Sequence, residues 1–273
     1  MIDTHCHLTF PDFRERIDGV MRDADDAGVR GAITISTSTA DAPEALAIAR
    51  AHDRVWCSAG VHPLYSHTRA DGGDESQGPL HDWGAQRACG EDPRCVAWGE
   101  MGLDLHYEGP HRAVQHAVLE EQLAHLERWR EEDPARLDKP VVLHCREAFS
   151  ELIPVLRASV LAPERFVFHC FTGGPDDMRA LLDFGAHVSF TGVVTYKNAP
   201  EVRDAAVLAP LDRVMVETDA PFLTPEPKRK ERPCEPRHAI LTARFLAELR
   251  GEDREGFESA IDENTRRFFG IEW

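Results

Sequence analysis

Eight short apolar runs, each followed by a helical pattern, constrain this chain more than any other feature. Met1–His7, Gly31–Ser36, Val55–Gly60, Cys95–Gly99, Pro140–His144, Arg165–His169, Ala186–Phe190 and Arg213–Glu217 read as strands. Between them, apolar residues recur at helical spacing. The first helical segment, Arg14–Ala27, sets Ile17, Val20, Met21 and Ala24 on one stripe and stops at Gly28. Others run from about Asp41 to His52, Leu80 to Ala88, His111 to Arg130, Glu147 to Ser159 through Pro154, and Pro175 to Phe184. The last three span Asn198 to Leu208, Pro236 to Arg250 and Arg254 to Phe268. An unbroken β–α rhythm over 273 residues, without a linker or composition break, predicts a single domain, residues 1–273, built as a (β/α)8 TIM barrel. The rival is a doubly wound open sheet. No Gly-x-Gly-x-x-Gly turn follows an early strand, so the barrel is preferred.

In a barrel the C-terminal ends of all strands converge on one face, where active sites are built. Asp3, His5 and His7 share one side of the first strand by its period of two. Glu100 ends the fourth strand, His144 the fifth and His169 the sixth, and Asp219 follows the eighth. Four imidazoles and two carboxylates exceed what one tetrahedral ion needs, so two divalent ions are expected. A neutral imidazole serves one ion, whereas a carboxylate can bridge two. Glu100, midway round the barrel, is the expected bridge. His5, His7 and Asp219 then hold one ion, and His144 and His169 the other. Asp3 and Glu217 are candidates to orient ligand imidazoles, with Glu217 equally readable as a strand residue facing the helices. The mixed ligand set suits Zn, Mn or Fe and, less well, Mg.

Composition narrows the partners. Thirty-one basic against 48 acidic residues give a formal charge of −17, which argues against a general, charge-driven nucleic-acid binder but not against a local basic patch. No secretory leader and no run of about 18 apolar residues is visible, so a soluble protein without a membrane partner is expected. The seven cysteines are scattered with no C-x-x-C pair, and suit reduced thiols in a cytoplasmic enzyme. Cys6, Cys145 and Cys170 each adjoin a histidine, and strand alternation turns them to the opposite face, towards packing.

Six motifs then occur in order: Asp3-Thr4-His5-Cys6-His7-Leu8, Gly60-Val61-His62-Pro63, Gly99-Glu100-Met101-Gly102-Leu103-Asp104, His144-Cys145-Arg146, His169-Cys170-Phe171-Thr172-Gly173 and Glu217-Thr218-Asp219-Ala220-Pro221. Together they resemble the TatD family of metal-dependent deoxyribonucleases, within the amidohydrolase-like barrels. The likeness runs from Met1 to Asn264-Thr265-Arg266-Arg267-Phe268-Phe269-Gly270. It implies a barrel of the metal-dependent hydrolase type, with a two-metal site on His5, His7, Glu100, His144, His169 and Asp219. It also implies hydrolysis of DNA phosphodiesters, often from the 3′ end. Three features depart from the family pattern. Cys234-Glu235-Pro236 stands where Asn-Glu-Pro is usual, and an acidic loop at 66–78 is longer than usual. The extension at 131–139 precedes a strand, hence the opposite face, where no functional effect is expected.

In this reading Asp219 is the catalytic base, and Glu100 is catalytic as the bridge. Donors to phosphate are sought in Arg146, which shares the face of His144, and in the basic run Lys228-Arg229-Lys230-Glu231-Arg232 after the last strand. His62, closing the third strand, is a further candidate to touch substrate. No obligate protein partner is indicated. An amidohydrolase, or an ester hydrolase or deacylase acting on a small or tRNA-linked substrate, is the main alternative with the same site. A metal-stabilised binding module without catalysis ranks third.

Overall fold

Each strand of the barrel hydrogen-bonds to its neighbours in chain order, in a computed structural model that describes residues 1–67 and 81–273. The strands are β1 (Ile2–Cys6), β2 (Gly31–Thr34), β3 (Val55–Ala59), β4 (Cys95–Asp104), β5 (Val141–Arg146), β6 (Phe166–Phe168), β7 (His187–Phe190) and β8 (Val214–Val216). All neighbours are parallel in the order β1 to β8. Between β8 and β1 a parallel bridge joins Cys6 to Ala220. There Asp219 donates its N–H to the His5 carbonyl at 2.9 Å, and His7 donates to Ala220 at 2.7 Å. The closing seam is thus built from the backbone of candidate metal ligands.

Helices α1 (Ile17–Asp26), α2 (Ala42–Ala51), α3 (Trp83–Gly90), α4 (Arg112–Glu132), α5 (Pro134–Leu137), α6 (Phe149–Ala158), α7 (Pro175–Phe184), α8 (Pro200–Leu208), α9 (Ala239–Arg250) and α10 (Arg254–Phe269) surround the sheet. Their boundaries follow local chemistry. α1 buries Ile17, Val20 and Ala24. The Asp82 carboxylate caps α3 by accepting from the Ala85 N–H at 2.9 Å, two residues beyond the expected start at Leu80. Leu80, and the expected loop from residue 68 onward, lie outside the described residues. α7 ends on Gly185, whose φ of 102° is the left-handed conformation glycine adopts without a Cβ clash. The extension at 131–139 finishes α4 and forms α5 at the start of β5. There the Leu137 carbonyl accepts from the Trp98 indole at 3.1 Å. It therefore lies on the face away from the strand ends.

One expectation needs correction. β4 does not stop before Glu100 but continues to Asp104, and its pairing with β5 skips between Trp98 and Met101. The skip is a bulge at Gly99, which has φ of 104°; a Cβ there would lie 2.3 Å from the Val142 carbonyl oxygen. The glycines flanking Glu100 read as a stop in the sequence, whereas they let the strand kink and resume.

Two apolar layers result. One lies between sheet and helices. The other lies inside the barrel, where Ile2, Ile33, Trp56, Val96, Val142, Val167 and Met215 from seven strands meet Phe268, Phe269 and Ile271 at the end of α10. Among the described residues, no helix is long and apolar enough to cross a membrane.

Candidate metal centre

The barrel brings all six expected ligands together. His5 lies in β1 and His7 just beyond it, Glu100 in β4, His144 in β5, His169 immediately after β6, and Asp219 three residues past β8. A cavity of about 940 Å³ at this end is lined by His7, Glu100, His144, His169 and Asp219, with His5 fully buried against them. The two oxygens of Glu100 divide the set. Oε2 lies 3.2 Å from His5 Nε2 and 4.0 Å from His7 Nε2. Oε1 lies 2.6 Å from His169 Nε2 and 2.8 Å from His144 Nδ1. Asp219 Oδ1 joins the first group, 3.2 Å from His7 Nε2 and 3.7 Å from His5 Nε2.

Hydrogen-bond partners fix which nitrogen of each ring keeps a lone pair, and these tautomers follow from the partners rather than from visible hydrogens. His7 Nδ1–H donates to the Ile35 carbonyl at 3.1 Å, leaving Nε2 free. His169 Nδ1–H donates to Glu217 at 3.2 Å, again leaving Nε2 free. His144 is reversed: Nε2–H donates to Asp104 Oδ2 at 2.9 Å, so Nδ1 is the free nitrogen. Each free nitrogen points at Glu100 or Asp219. An acceptor on a second residue that orients a ligand imidazole is the usual arrangement around bound metal.

Electrostatics agree. Burial would raise the Glu100 carboxyl, but His169, His62 and His5, with the hydrogen bond from His144, hold it well below the usual carboxylate range. Asp219 is likewise lowered, against burial, chiefly by His7. Burial opposes charge on His169, yet Glu100 and Glu217 carry it well above the ordinary histidine range. Two facing acceptors, His169 Nε2 and Glu100 Oε1, need a proton or a cation between them. His5 is more telling still: neither ring nitrogen has a hydrogen-bond partner. A buried imidazole left unpaired costs about 1–3 kcal/mol, a cost that coordination removes. Three groups of His and carboxylate donors converge closely enough to hold an ion: His5/His7/Glu100, His5/His169/Glu217 and His62/Glu100/His144. The residues present fit divalent metal.

A family model described as TatD related DNase matches residues 2–270. This chain belongs to the TatD-related DNase family. It is an enzyme of the hydrolase class. Among its relatives, the 3′-5′ ssDNA/RNA exonuclease TatD of Enterobacter lignolyticus is 34% identical over 99% of both chains. The metal-dependent hydrolase YcfH of Escherichia coli K12 is 32% identical over 100% of this chain and 96% of its own. Of solved structures, the TatD homologue YJJV from Escherichia coli superposes with a TM-score of 0.84 at 28% identity, over 100% of this chain and 98% of that one.

Within this member of the TatD-related DNase family, residues expected near the ligands divide into those the fold brings in and those it does not. His62 enters the cluster, with Nε2 3.3 Å from Glu100 Oε1 and 3.1 Å from His144 Nδ1. Its Nδ1 accepts the Leu64 N–H at 3.0 Å, so neutral His62 carries its proton on Nε2 and is a donor there, not a ligand. Burial lowers its pKa to about 4, which keeps it neutral at pH 7. Glu217 faces inward and holds His169. Asp3 orients no imidazole: its carboxylate accepts from Thr218 N–H at 2.9 Å, Thr218 Oγ1 at 2.5 Å and the His5 N–H at 3.3 Å. It braces the β1–β8 seam, and burial raises its pKa to about 8.

Arg146 lines the cavity, but Lys228, Arg229 and Lys230 do not; they line a separate surface depression. Their charge is largely neutralised locally, since Lys228 pairs with Glu231 at 2.7 Å and Arg229 with Glu226 at 4.0 Å. Arg229 also covers the Tyr196 ring at 3.9 Å. Cys6 is buried away from the cavity as expected, whereas Cys145, though buried, and Cys170 both line it. Cys170 has φ of 44° and follows the end of β6, so strand alternation no longer governs it. Cys234 is buried outside the cavity, its N–H tying the chain back to the Pro221 carbonyl at 2.9 Å.

Asp104 was missed as an orienting residue, although Glu100, Gly102 and Asp104 alternate along one strand and the signal was available. All four non-glycine residues with positive φ among those described, Glu147, Cys170, Asp219 and Leu223, line this cavity. Each costs on the order of 1 kcal/mol, strain that the surrounding packing must hold.

Proposed function

We propose that this TatD-related DNase cleaves phosphodiester bonds of single-stranded nucleic acid with the aid of a pair of divalent ions, which Glu100 would help to hold through its two oxygens. The splitting of ligands between the two Glu100 oxygens carries this reading. His5, His7 and Asp219 would hold one ion, and His144 and His169 the other. Such ions acidify water towards pKa 7 and offset charge on a phosphoryl group. Asp219 stays ionised at neutral pH and accepts the proton of the attacking water, with one oxygen turned to His5 and His7 and 16% of its side chain open to the cavity. His62 offers its Nε2–H to a phosphoryl oxygen. Arg146, partly exposed in the cavity wall, meets a flanking phosphate. The nuclease name of full-length relatives favours this substrate over an amide or a carboxylic ester.

All of residues 1–273 serve one barrel in this proposal. The cysteines are free thiols, which suits the reducing cytoplasm. The test is cleavage of a 3′-labelled DNA strand with and without EDTA, followed by addition of Mg²⁺, Mn²⁺ or Zn²⁺. Activity should vanish with chelator and return with at least one ion. Cleavage that resists exhaustive chelation would overturn the proposal.

A further inference from the structure

Three of the six large apolar side chains exposed among the described residues, Tyr65 at 37%, Tyr107 at 51% and Phe222 at 49%, line the cavity of the histidine cluster. Two of them stand on opposite sides of its mouth. Phe222 follows β8 and packs edge-on against Phe10, which follows β1, with ring centroids 5.9 Å apart. Phe10 in turn stacks on the His7 imidazole at 4.9 Å. Tyr107 follows β4. The Arg146 guanidinium at the end of β5 lies 5.1 Å from its ring centroid and donates to its hydroxyl at 3.3 Å. The Tyr107 N–H reaches Asp104, the carboxylate that holds His144, at 3.3 Å. In a ring of eight strands the β8–β1 seam and the β4–β5 pair are diametrically opposed. Any group over the metal ligands therefore has an aromatic face on either side, each tied to a ligand through one intermediate contact.

Exposing such rings to water is unfavourable unless a partner covers them. The partner must carry flat faces on both sides of the bond at the metal ligands. It must also bind a protein of net charge −17 whose Lys228, Arg229 and Lys230 lie outside the cavity, the first two paired with Glu231 and Glu226. Nucleobases meet these conditions, because stacking is independent of charge and tolerates any base. Bases inside a duplex do not, since their faces are covered. We propose that Phe222, backed by Phe10, and Tyr107, backed by Arg146, are stacking platforms for the two bases flanking the scissile phosphate. This rests on the phosphodiesterase reading above and assigns its base subsites. It makes the enzyme selective for unpaired strands without sequence preference. It also makes binding only weakly salt-dependent, because Arg146 is the main cation that meets a phosphate.

The experiment compares a thymidine oligonucleotide with the same strand carrying abasic sugars at its two 3′-terminal positions, with Mn²⁺ present. The parent should show a KM about a hundredfold higher for the abasic strand, about tenfold for each of the two stacked bases lost. Phe222→Ala and Tyr107→Ala, each removing one platform, should each raise KM for the intact strand by about tenfold and treat the abasic strand as the parent does. Phe222→Trp and Tyr107→Trp should restore the parent's KM. The inference is overturned if the alanine variants match the parent on the intact strand, or weaken intact and abasic strands equally. A parent that cleaves both strands with the same KM removes the platforms and leaves the phosphodiesterase reading standing. A parent that cleaves neither removes both.

Discussion

The two ends of the barrel solve opposite problems with the same eight strands. At the N-terminal end Ile2, Trp56, Val96 and Val142 meet Phe268, Phe269 and Ile271 and fill the interior, as packing alone requires. At the C-terminal end the strands converge on four imidazoles, Glu100 and Asp219, with strained backbone around them. Apolar burial stabilises the first end directly. The second end gathers buried groups of like and unlike charge whose mutual cost is offset by protons or cations held between them. Stability therefore resides mainly at one mouth and chemistry at the other. Changes at the top should cost activity and metal before fold, and changes at the bottom fold before activity.

Glu100→Gln is the strongest way to break that division. A neutral amide is a poor bridge, and its NH₂ group can donate to the free imidazole nitrogens and so compete with metal for their lone pairs. A loss of roughly 10³-fold in turnover is expected, with reduced metal content and little change in apo-protein unfolding temperature. Metal counting by mass spectrometry beside the rate decides it. Full metal at the parent's rate would place the bridge elsewhere.

Phe269→Ala tests the other end. Removing a buried phenyl from the plug should cost about 3–5 kcal/mol of stability. Residual folded enzyme should keep the parent's turnover number, read by denaturant titration and by activity below the transition. A comparable fall in turnover would couple the two mouths.

His187, at the start of β7, makes the bottom acid-sensitive. Burial, then Arg213 and Arg267, hold its pKa at about 4 against an ordinary 6.5. Its Nδ1 has no hydrogen-bond partner, and its ring lies against Phe268 at 4.9 Å. Above pH 6.5 neither state binds a proton at this residue. As pH falls from 6.5 to 4 the unfolded chain is protonated and the folded one is not, so stability drops; below 4 both are protonated and the loss levels off. The total is about 3 kcal/mol at 1.36 kcal/mol per unit. His187→Leu should flatten the melting temperature between pH 7 and 4 relative to the parent. An unchanged slope would assign the acid sensitivity to other groups.

The smallest effect sharpens the top. Asp104→Asn still accepts through its amide oxygen but loses the charge that holds His144 with Nδ1 free. Metal affinity should weaken by about 10–100-fold, as for other residues that orient a ligand imidazole. Calorimetric titration of apo protein with Mn²⁺ measures it, and the imidazole nitrogen resonances of His144 report the tautomer. An unaltered affinity with an unaltered tautomer would make Asp104 a loop anchor only.

Much of this architecture was visible as spacing. Strand count and the alternation of runs with helical stripes are local properties, and they carried the barrel and the meeting of six candidate ligands at its strand ends. The two glutamates that pair with Lys228 and Arg229 were equally local, three residues away, and a reading by charge alone passed over them. Cys170 misled because a period of two holds only while the strand lasts, and β6 stops at Phe168.

What the sequence determined by itself was the order of elements and which side chains arrive at the mouth. Both depend on residues adjacent along the chain. Tertiary structure alone decided the rest. Which nitrogen each histidine keeps free depends on Ile35, Asp104 and Glu217, contributed by other segments of the barrel. The role of His62 as a donor depends on a backbone turn that places the Leu64 N–H against its ring. The bulge at Gly99 exists because a neighbouring strand leaves no room for a Cβ. The plug at the bottom needs α10 to return across the barrel after more than 250 residues. Pairings between distant segments carry no spacing signal, because what sets them is the closure of the sheet rather than the covalent chain.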